Sequence, residues 1–204
     1  MNIDLSRMKP SEVYSTMAQA ILPRPIAWVL SDNGDGHWNL APFSYFSAVC
    51  SDPPLLMFSV GRKPDGSPKD THANIAARRE FVVHIPGWEQ LEAMNASSAT
   101  LPAGVSEVDK LGLELEPFPG FRVPRLKGCR LAMACELYRL QEIGAAPQTL
   151  IFGRILGLQV ADDAVARDTA GRLRILPQRL DPVARLGGPH YARLGPVVKL
   201  PRPD

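Results

Sequence analysis

The chain has 204 residues and a mass of 22.3 kDa, with 45% hydrophobic and 22% charged residues. This composition is typical of one ordinary globular domain with a sizeable core, and it excludes repeat arrays, collagen and wholesale disorder. The 20 prolines and 16 glycines divide the chain into short elements, which disfavours an all-helical bundle. We therefore expect a single domain over residues 1–204.

The charge is nearly balanced, because 23 Lys and Arg residues stand against 21 Asp and Glu residues, for a formal net charge of +2. No global field favours nucleic acid as a partner. The stretch 167–204 is more basic, since seven Arg and one Lys there stand against three Asp, an excess of five positive charges. A solvated basic surface explains most of this excess, and a site for an anionic partner is the alternative.

The start of the chain and the cysteines indicate the compartment. The first residues lack the basic segment and apolar run of a secretory signal, and no apolar run approaches membrane-spanning length, so no membrane association is expected. Cys50, Cys129 and Cys135 are odd in number and lack metal-ligand spacing, which disfavours a disulfide scaffold or a zinc site. We expect a cytoplasmic protein with reduced thiols and no bound metal.

The first predicted elements are a helix and a β-hairpin. Apolar residues at helical spacing predict a short helix over residues 11–21. Strands are predicted over 26–31 and 37–41, joined by a strong turn signal at 33–36. Because proline cannot donate a ladder hydrogen bond, Pro42 either ends the second strand or places it at a sheet edge.

The rest of the chain alternates short strands with short helices. The pattern predicts strands over 55–60 and 80–85, helices over 70–79, 88–94 and 105–111, and loops over 61–68 and 96–104. Two long antiparallel strands follow over 131–143 and 150–160, where Gly153 and Gly157 indicate bulges or bends. Many short strands with few helices predict a mainly β protein, a β-barrel decorated with helices.

The usual catalytic signatures are missing from the chain. It has no GxSxG, HExxH or GxxxxGK[ST] motif, and the glycine pair Gly34 and Gly36 opens a hairpin and not a helix, so a Rossmann site is not expected. The histidines are widely separated along the sequence. His84 lies inside an apolar strand, which predicts a hydrogen-bonded core histidine.

One segment has the chemistry of an anion site. In Lys69-Asp-Thr-His-Ala-Asn74, a cap from Asp70 or Thr71 would leave the first-turn N–H groups of the following helix pointing outward, beside the Lys69 ammonium. Such a helix N-terminus suits a phosphate. The alternative is a plain helix start with a solvated lysine.

A second segment, residues 39–47, combines small polar side chains with a proline-interrupted strand. Its polar groups and exposed backbone could hydrogen-bond a flat ring with heteroatoms at its edge, although its aromatic residues could equally belong to the core. Strand alternation would place Phe43, Tyr45 and Ser47 on one face and Ser44 on the other. Periodicity alone therefore leaves both interpretations open.

Six sequence blocks occur in a familiar order. They are PRPIAWV at 23–29, NLAPFSYF at 39–46, DPPLLMFS at 52–59, KDT at 69–71 with Asn74, EFVV at 80–83, and RLGG at 185–188 with Tyr191. Each block alone is weak, but the ordered set is specific. The sequence resembles flavoredoxin-like proteins of the flavin reductase-like family from about residue 22 to residue 202.

The resemblance implies an antiparallel, Greek-key, FMN-binding split β-barrel with a few short peripheral helices. Such proteins are normally homodimers with the flavin in a groove near the subunit interface. The resemblance implies that the FMN phosphate lies at Lys69, Asp70 and Thr71, with Asn74 nearby. It implies that the ring and ribityl chain contact Asn39, Ala41, Pro42, Ser44 and Ser47. It further implies that Arg24 and Trp28 add contacts and that Arg185 and Tyr191 close the groove.

The implied activity is that of an NAD(P)H-dependent FMN reductase, in which a nicotinamide hydride passes to flavin N5 and the reduced flavin serves an acceptor such as a partner monooxygenase or redox protein. The protein then needs only to position and tune the ring, so no catalytic residue is nominated. His190 is the one titratable group to test, against the alternative of a surface histidine.

Two other hypotheses remain: a flavoredoxin-like carrier that binds FMN without using nicotinamide, and a flavin-free barrel that binds an acidic partner.

Overall fold

The computed structural model describes residues 1–34, 36–102, 104–145 and 147–200. Its α-helices are α1 (Pro10–Ala20), α2 (Asp70–Arg78), α3 (Leu91–Ala96), α4 (Glu107–Lys110) and α5 (Pro177–Leu180), with 3-10 turns at Leu5–Arg7, Trp88–Gln90 and Asp162–Ala164. The helices predicted over 11–21, 70–79, 88–94 and 105–111 are therefore confirmed to within a few residues.

The strands are short except for one long pair. They are β1 (Arg24–Pro25), β2 (Ala27–Asp32), β3 (Trp38–Phe43), β4 (Phe46–Ser51), β5 (Pro54–Val60), β6 (Glu80–His84), β7 (Leu115–Glu116), β8 (Arg125–Leu126), β9 (Leu131–Ile143), β10 (Gln148–Val160), β11 (Val165–Arg167), β12 (Leu173–Ile175), β13 (Ala184–Arg185) and β14 (Tyr191–Ala192). Asp35, in the predicted turn of the first hairpin, lies outside the described residues.

Seven antiparallel strands form the main sheet in the order β3-β2-β6-β9-β10-β5-β4, and three small sheets join β1-β13-β14, β11-β12 and β7-β8. β3 and β5 also contact each other although four strands separate them in the sheet order, so the sheet curls towards a barrel. The prediction of a mainly β, antiparallel barrel with a few short helices is confirmed.

Both faces of the central strands are buried. Trp28 and Leu30 of β2 belong to one core cluster, whereas Val29 belongs to a second cluster with Phe58 and Phe81. Successive residues of a strand point to opposite faces, so a strand that is covered on both sides must be apolar at consecutive positions. This explains the unbroken apolar runs in β2 and β6, and each large side chain buried this way contributes roughly 1.5–3 kcal/mol.

The long strands β9 and β10 bend where the sequence predicts it. Their register shifts between Phe152 and Gly153 and again between Ile155 and Gly157. At the first shift the chain packs closely, because a Cβ atom on Gly153 would lie 2.6 Å from Cζ of Phe81. Gly153 therefore supplies space for a buried ring of β6, the strand on the far side of β9.

The strand β3 forms one edge of the main sheet, which confirms the edge interpretation of Pro42. Helix α4 covers the first half of this edge. The Leu40 N–H donates to Glu107 Oε2 at 2.9 Å, and Ser106 Oγ donates to the Trp38 carbonyl at 2.7 Å. At Pro42 no N–H needs a partner, so the edge can border a cavity there.

His84 is a core histidine, as the sequence predicts. Its side chain is fully buried, and the Leu126 N–H donates to Nε2 at 2.9 Å. The partners therefore assign the proton to Nδ1, which donates to the Trp28 carbonyl at 3.1 Å. Burial lowers the pKa of His84 to about 4, so the neutral ring is the folded form at neutral pH.

Candidate functional site

Two cavities adjoin along the open part of β3. The tyrosine cavity, with a volume of about 400 Å³, is lined by residues that include Tyr14, Ser44, Tyr45, Asn95, Arg185 and Tyr191. The helix cavity, with a volume of about 360 Å³, is lined by residues that include Asn39, Ala41, Arg62, Asp70, Thr71 and Glu107. Pro42, Phe43, Lys69 and Ser98 line both, so the two cavities form one groove.

The helix cavity lies at the N-terminus of α2. The N-cap is Lys69, so the predicted cap by Asp70 or Thr71 is wrong, because both residues already belong to the helix and their side chains have other partners. The Lys63 ammonium donates to Asp70 Oδ1 at 2.7 Å. Lys69 makes no side-chain cap, and the first-turn N–H groups of a helix have no partner within it, so this end carries a partial positive charge.

A buried amide and hydroxyl network joins α2 to the first hairpin. Asn39 Nδ2 donates to Thr71 Oγ1 at 2.8 Å and to Ser31 Oγ at 3.1 Å. Asn74 Nδ2 donates to Asn33 Oδ1 at 2.8 Å. Asn39 and Thr71 thus line the helix cavity, whereas Asn74 lies behind them and supports the network without lining either cavity.

Some charged side chains around the helix cavity form ion pairs, and Lys69 does not within the described chain. Lys63 pairs with Asp70, and Arg62 pairs with Glu142, but Lys69 forms no ion pair among the described residues. The Nε atom of Arg62 is buried and has no hydrogen-bond partner within the described chain. These groups give the cavity unused donors and a net attraction for an anion.

Besides Asp70, a second acidic side chain lines the helix cavity. Glu107 is buried, and burial raises the pKa of its carboxyl group, an effect to which the nearby charge of Asp70 adds. Its Oε2 atom accepts a hydrogen bond from the Leu40 N–H, so the carboxyl group is the partner of a backbone donor at the edge of the sheet. Its role in the geometry is therefore to hold α4 against β3.

The tyrosine cavity has aromatic walls. The rings of Tyr14 and Tyr45 lie 5.8 Å apart between centroids. Tyr191 donates its hydroxyl hydrogen to Asn95 Oδ1 at 2.7 Å, and the Arg185 guanidinium carbon lies 4.5 Å from the centroid of the Tyr191 ring. The Tyr45 hydroxyl is buried without a partner among the described residues, and burial raises its pKa.

Residues 43–45 do not follow the strand alternation. β3 ends at Phe43 and β4 begins at Phe46, so Ser44 and Tyr45 lie in the connection between two strands. Phe43, Ser44 and Tyr45 all line the tyrosine cavity. The prediction that Ser44 faces away from its neighbours is wrong, because a period of two holds only where the backbone continues as a strand.

Arg24 lies behind the tyrosine cavity and not in its lining. Its side chain is 6% exposed, and its guanidinium group donates to the carbonyls of Ala18, of Ile21 at 2.6 Å and of Leu186 at 2.8 Å, with a longer bond to Ser44 Oγ at 3.4 Å. These bonds use four of its five N–H donors. Arg24 therefore ties the end of α1 to the segment before Gly187.

Trp28 and Ser47 also lie outside the two linings. Trp28 is 1% exposed in the core, and its Nε1 donates to Ser97 Oγ at 2.9 Å. Ser47 is exposed on β4, where its hydroxyl donates to the Ala48 carbonyl at 3.0 Å. His190 is exposed, and its Nδ1 atom lies 3.0 Å from the Gly187 carbonyl oxygen.

Several lining residues carry no signal in the sequence. The segment 97–101 reaches the helix cavity, and Asn95 and Gln148 reach the tyrosine cavity, from loops and strand ends far away along the chain. Only tertiary packing brings these residues to the groove. Tyr14 of α1 is 62% exposed, and nothing in its sequence context indicates that its ring lines a cavity.

The basic C-terminal stretch is partly neutralised. Arg172 pairs with Asp168, and Arg193 pairs with Asp181. Residues 201–204 of that stretch lie outside the described residues. No helix of the described chain is long and apolar enough to cross a membrane, and no group of three or more His, Cys, Asp or Glu side chains there could hold a metal.

The curled antiparallel sheet, with a groove along its proline-bearing edge, has the architecture of a split barrel. The family model of the flavin reductase like domain matches residues 17–176, most of the chain. The chain therefore belongs to the flavin reductase-like family, whose members are oxidoreductases. This confirms the resemblance inferred from the six ordered blocks.

Three similar proteins span the whole chain. An uncharacterized protein of Halalkalibacterium halodurans is 37% identical, over 100% of this chain and 97% of its own length. The crystal structure of nitrilotriacetate monooxygenase component B from Bacillus cereus has a TM-score of 0.89 and 34% identity, over 98% of each chain. That of the 2-nitrobenzoate 2-nitroreductase from Pseudomonas fluorescens has a TM-score of 0.86 and 30% identity, over 100% of this chain and 96% of the other.

Proposed function

We propose that this protein binds FMN in the groove formed by the helix and tyrosine cavities and acts as an NAD(P)H-dependent reductase. The observation that carries the proposal is the uncapped N-terminus of α2 beside the unpaired Lys69, at one end of a continuous groove. A phosphate fits such a helix end, and the two volumes fall in the usual range for ligand sites. The buried, unpartnered Tyr45 hydroxyl gives the other end a free donor for a polar ring.

The phosphate of FMN would lie at the helix cavity. Lys69 would supply the charge, and the backbone N–H groups at the start of α2 would supply directed hydrogen bonds. Asp70 would not repel the phosphate strongly, since Lys63 already neutralises its carboxylate. Thr71 and Asn39 would hold the helix end against the edge strand, and Asn74 supports them from behind.

The ring and ribityl chain of FMN would lie along the edge strand towards the tyrosine cavity. Ala41 and Pro42 would border the chain and ring, with Ser44 and the Tyr45 hydroxyl as hydrogen-bond donors. Bound FMN supplies the electron transfer, because its ring accepts a hydride and later releases electrons. The protein's part is to bind and orient the ring, to exclude water and to offer donors near its heteroatoms.

Some of the remaining residues predicted to contact the flavin line the groove, and others lie outside its lining. Arg185 and Tyr191 line the mouth of the groove and are proposed to close it. Arg24 and Trp28 are proposed to act indirectly, by holding α1 and α3 in place. Ser47 faces outward on the edge strand β4. In this proposal Ser47 would contact the flavin only in a homodimer that brings a second copy against β4.

The proposal includes a homodimer in the cytoplasm, with a partner monooxygenase or redox protein as the acceptor. Exposed apolar side chains on β4 and β10 support the dimer, among them Val49, Leu156 at 54% and Leu158 at 53% exposure. Exposed apolar patches of this kind are typical of interaction surfaces. The likeness to a monooxygenase component B supports a monooxygenase as acceptor. Light scattering of the purified protein measures whether it is a dimer.

An absorbance experiment tests the proposed function. The purified protein is loaded with FMN, freed of excess ligand, and mixed without oxygen with NADH or NADPH in a stopped-flow instrument. We expect retained flavin bands and their fast bleaching by at least one nicotinamide. Retained flavin that neither nicotinamide bleaches would favour the electron carrier. Failure to bind FMN, together with salt-sensitive binding of a polyanion, would favour the flavin-free barrel.

A further inference from the structure

The tyrosine cavity has a charge imbalance that FMN binding does not require. Among its lining residues only Lys69 and Arg185 carry a charge at neutral pH, and both are cationic. Lys69 also borders the helix cavity, where the phosphate is proposed to lie. Arg185 lines only the tyrosine cavity and forms no ion pair with a carboxylate in the described part of the chain.

The Arg185 guanidinium group packs on an aromatic ring. It lies over the Tyr191 ring, with 4.5 Å between the guanidinium carbon and the ring centroid. Tyr191 is fixed in turn by its hydrogen bond to Asn95 Oδ1, and the two residues are register partners in the pair β13 and β14. Within the described chain its one hydrogen-bond acceptor is the His190 carbonyl at 3.5 Å, which leaves most of its N–H donors available there.

Arg24, a second guanidinium group near this cavity, lies outside the lining, and each of its three nitrogen atoms donates to a protein acceptor. It donates to the carbonyls of Ala18, Ile21 and Leu186 and is buried. Arg185 is thus the cation that can present a free planar fork to the tyrosine cavity. A planar fork of N–H groups is the geometry that binds a carboxylate through two parallel hydrogen bonds.

The walls of the tyrosine cavity suit a flat apolar group. Tyr14, Phe43, Tyr45 and Tyr191 all line the cavity, and the Arg185 guanidinium group lies over the Tyr191 ring. Aromatic side chains stack on or meet the edge of other rings at centroid distances of about 4.5–7 Å. A ligand that combines an aromatic ring with a carboxylate satisfies both the walls and the unpaired charge.

We propose that the tyrosine cavity binds an aromatic carboxylate beside the flavin, with Arg185 as the residue that selects the carboxylate. The proposal rests on the proposed function only for the position of the flavin, since the walls and the charge belong to the protein. It assigns a substrate class to the mouth of the groove. Arg185 recognises the charge, and the tyrosine rings contact the ring of the ligand.

Calorimetric titration of the oxidised, FMN-loaded protein tests this binding without turnover. Benzoate is the probe, and benzamide is its uncharged match. We expect the wild-type protein to bind benzoate about tenfold more tightly than benzamide, as for one charge-assisted pair. Arg185→Gln should bind both equally and weakly, and Arg185→Lys should recover part of the preference. Arg193→Gln is the matched control, because Arg193 pairs with Asp181 outside this cavity and its loss should leave the preference unchanged.

The outcomes separate this proposal from the proposed function. The flavin bands, recorded before each titration, report whether FMN is bound, and the same titrations on flavin-free protein report the cavity alone. Equal affinity for benzoate and benzamide in the wild-type protein would overturn the aromatic carboxylate proposal, even where FMN is retained. A preference for benzoate that survives in Arg185→Gln would overturn the assignment to Arg185. Loss of FMN binding with the preference intact would instead contradict only the proposed function.

Discussion

The Asn39 amide donates to the Thr71 hydroxyl at 2.8 Å, which joins the edge strand β3 to the first turn of α2. Both side chains are buried, and 32 residues separate them along the chain. The hydrogen bond sets the distance between the sheet edge and the helix end, the two parts of the groove that would bind FMN. A change at either residue should therefore affect stability and flavin binding together.

Thr71→Val tests this connection. Valine has nearly the same shape but no acceptor, so the substitution removes one partner of the buried Asn39 amide and should lower the free energy of unfolding by about 1–3 kcal/mol. It should also weaken FMN binding, because the end of α2 loses its tie to β3. Urea unfolding and FMN titration measure the two effects. Thr71→Ser keeps the hydroxyl and should retain most of both, and equal losses in the two variants would contradict the role of the hydrogen bond.

Gly153→Ala tests the close packing at the bend of β10. The new Cβ atom would lie 2.6 Å from Cζ of Phe81, a buried ring that cannot move aside freely, so we expect a loss of about 1–3 kcal/mol in unfolding free energy. Gly157→Ala is the control at the second bend, where the nearest atom, Cε1 of Phe118, lies 3.9 Å away. A loss of similar size at Gly157 would mean that backbone bending, and not the ring of Phe81, requires glycine at both positions.

The buried His84 predicts a specific pH dependence of stability. Its folded pKa of about 4 lies below the unfolded value of 6.5, so the unfolded chain binds a proton that the folded chain does not. The contribution is complete above pH 6.5 and falls as the pH drops towards 4, by roughly 3 kcal/mol in total. Unfolding free energies at pH 7 and pH 5 measure the slope, which should be smaller in His84→Gln. A slope in His84→Gln equal to that of the wild-type protein would contradict this assignment.

The sequence predicts the local elements of this fold well, because their causes are local. The apolar run of β2, the turn signal before β3 and the glycines of β10 all act within a few residues. Pro42 is informative for the same reason, since proline restricts the pairing of its own strand. The ordered motifs identify the family, but each residue's position in the groove depends on contacts from other parts of the chain.

The errors in the sequence-based predictions have a common physical cause. Asp70 and Thr71 are good capping residues by type, yet Lys63 in the preceding loop binds Asp70, and Asn39, 32 residues away, binds Thr71. Ser44 lies off the strand because the sheet turns between β3 and β4. The local sequence does not indicate that Glu107 lines the helix cavity, because the packing of α4 against β3 brings it there. Such features follow from tertiary packing, which a residue's neighbours in sequence do not specify.

Tyr45→Phe separates a role in stability from a role in binding. The Tyr45 hydroxyl is buried and unpartnered among the described residues, so its removal should leave the unfolding free energy of the flavin-free protein unchanged or slightly raised. If the hydroxyl donates to the flavin ring as proposed, the same change should weaken FMN binding by about tenfold. Thermal unfolding without ligand and FMN titration give the two values. Unchanged FMN affinity would exclude the hydroxyl from the flavin site.

The comparison of FMN with riboflavin tests the central claim, that the end of α2 and Lys69 bind the phosphate of the flavin. Riboflavin carries the same ring and ribityl chain without the phosphate. We expect the wild-type protein to bind FMN about a hundredfold more tightly than riboflavin at low salt, and Lys69→Gln to reduce this ratio by about tenfold, while the distant Lys199→Gln leaves it unchanged. Equal affinities of the wild-type protein for FMN and riboflavin would contradict the account.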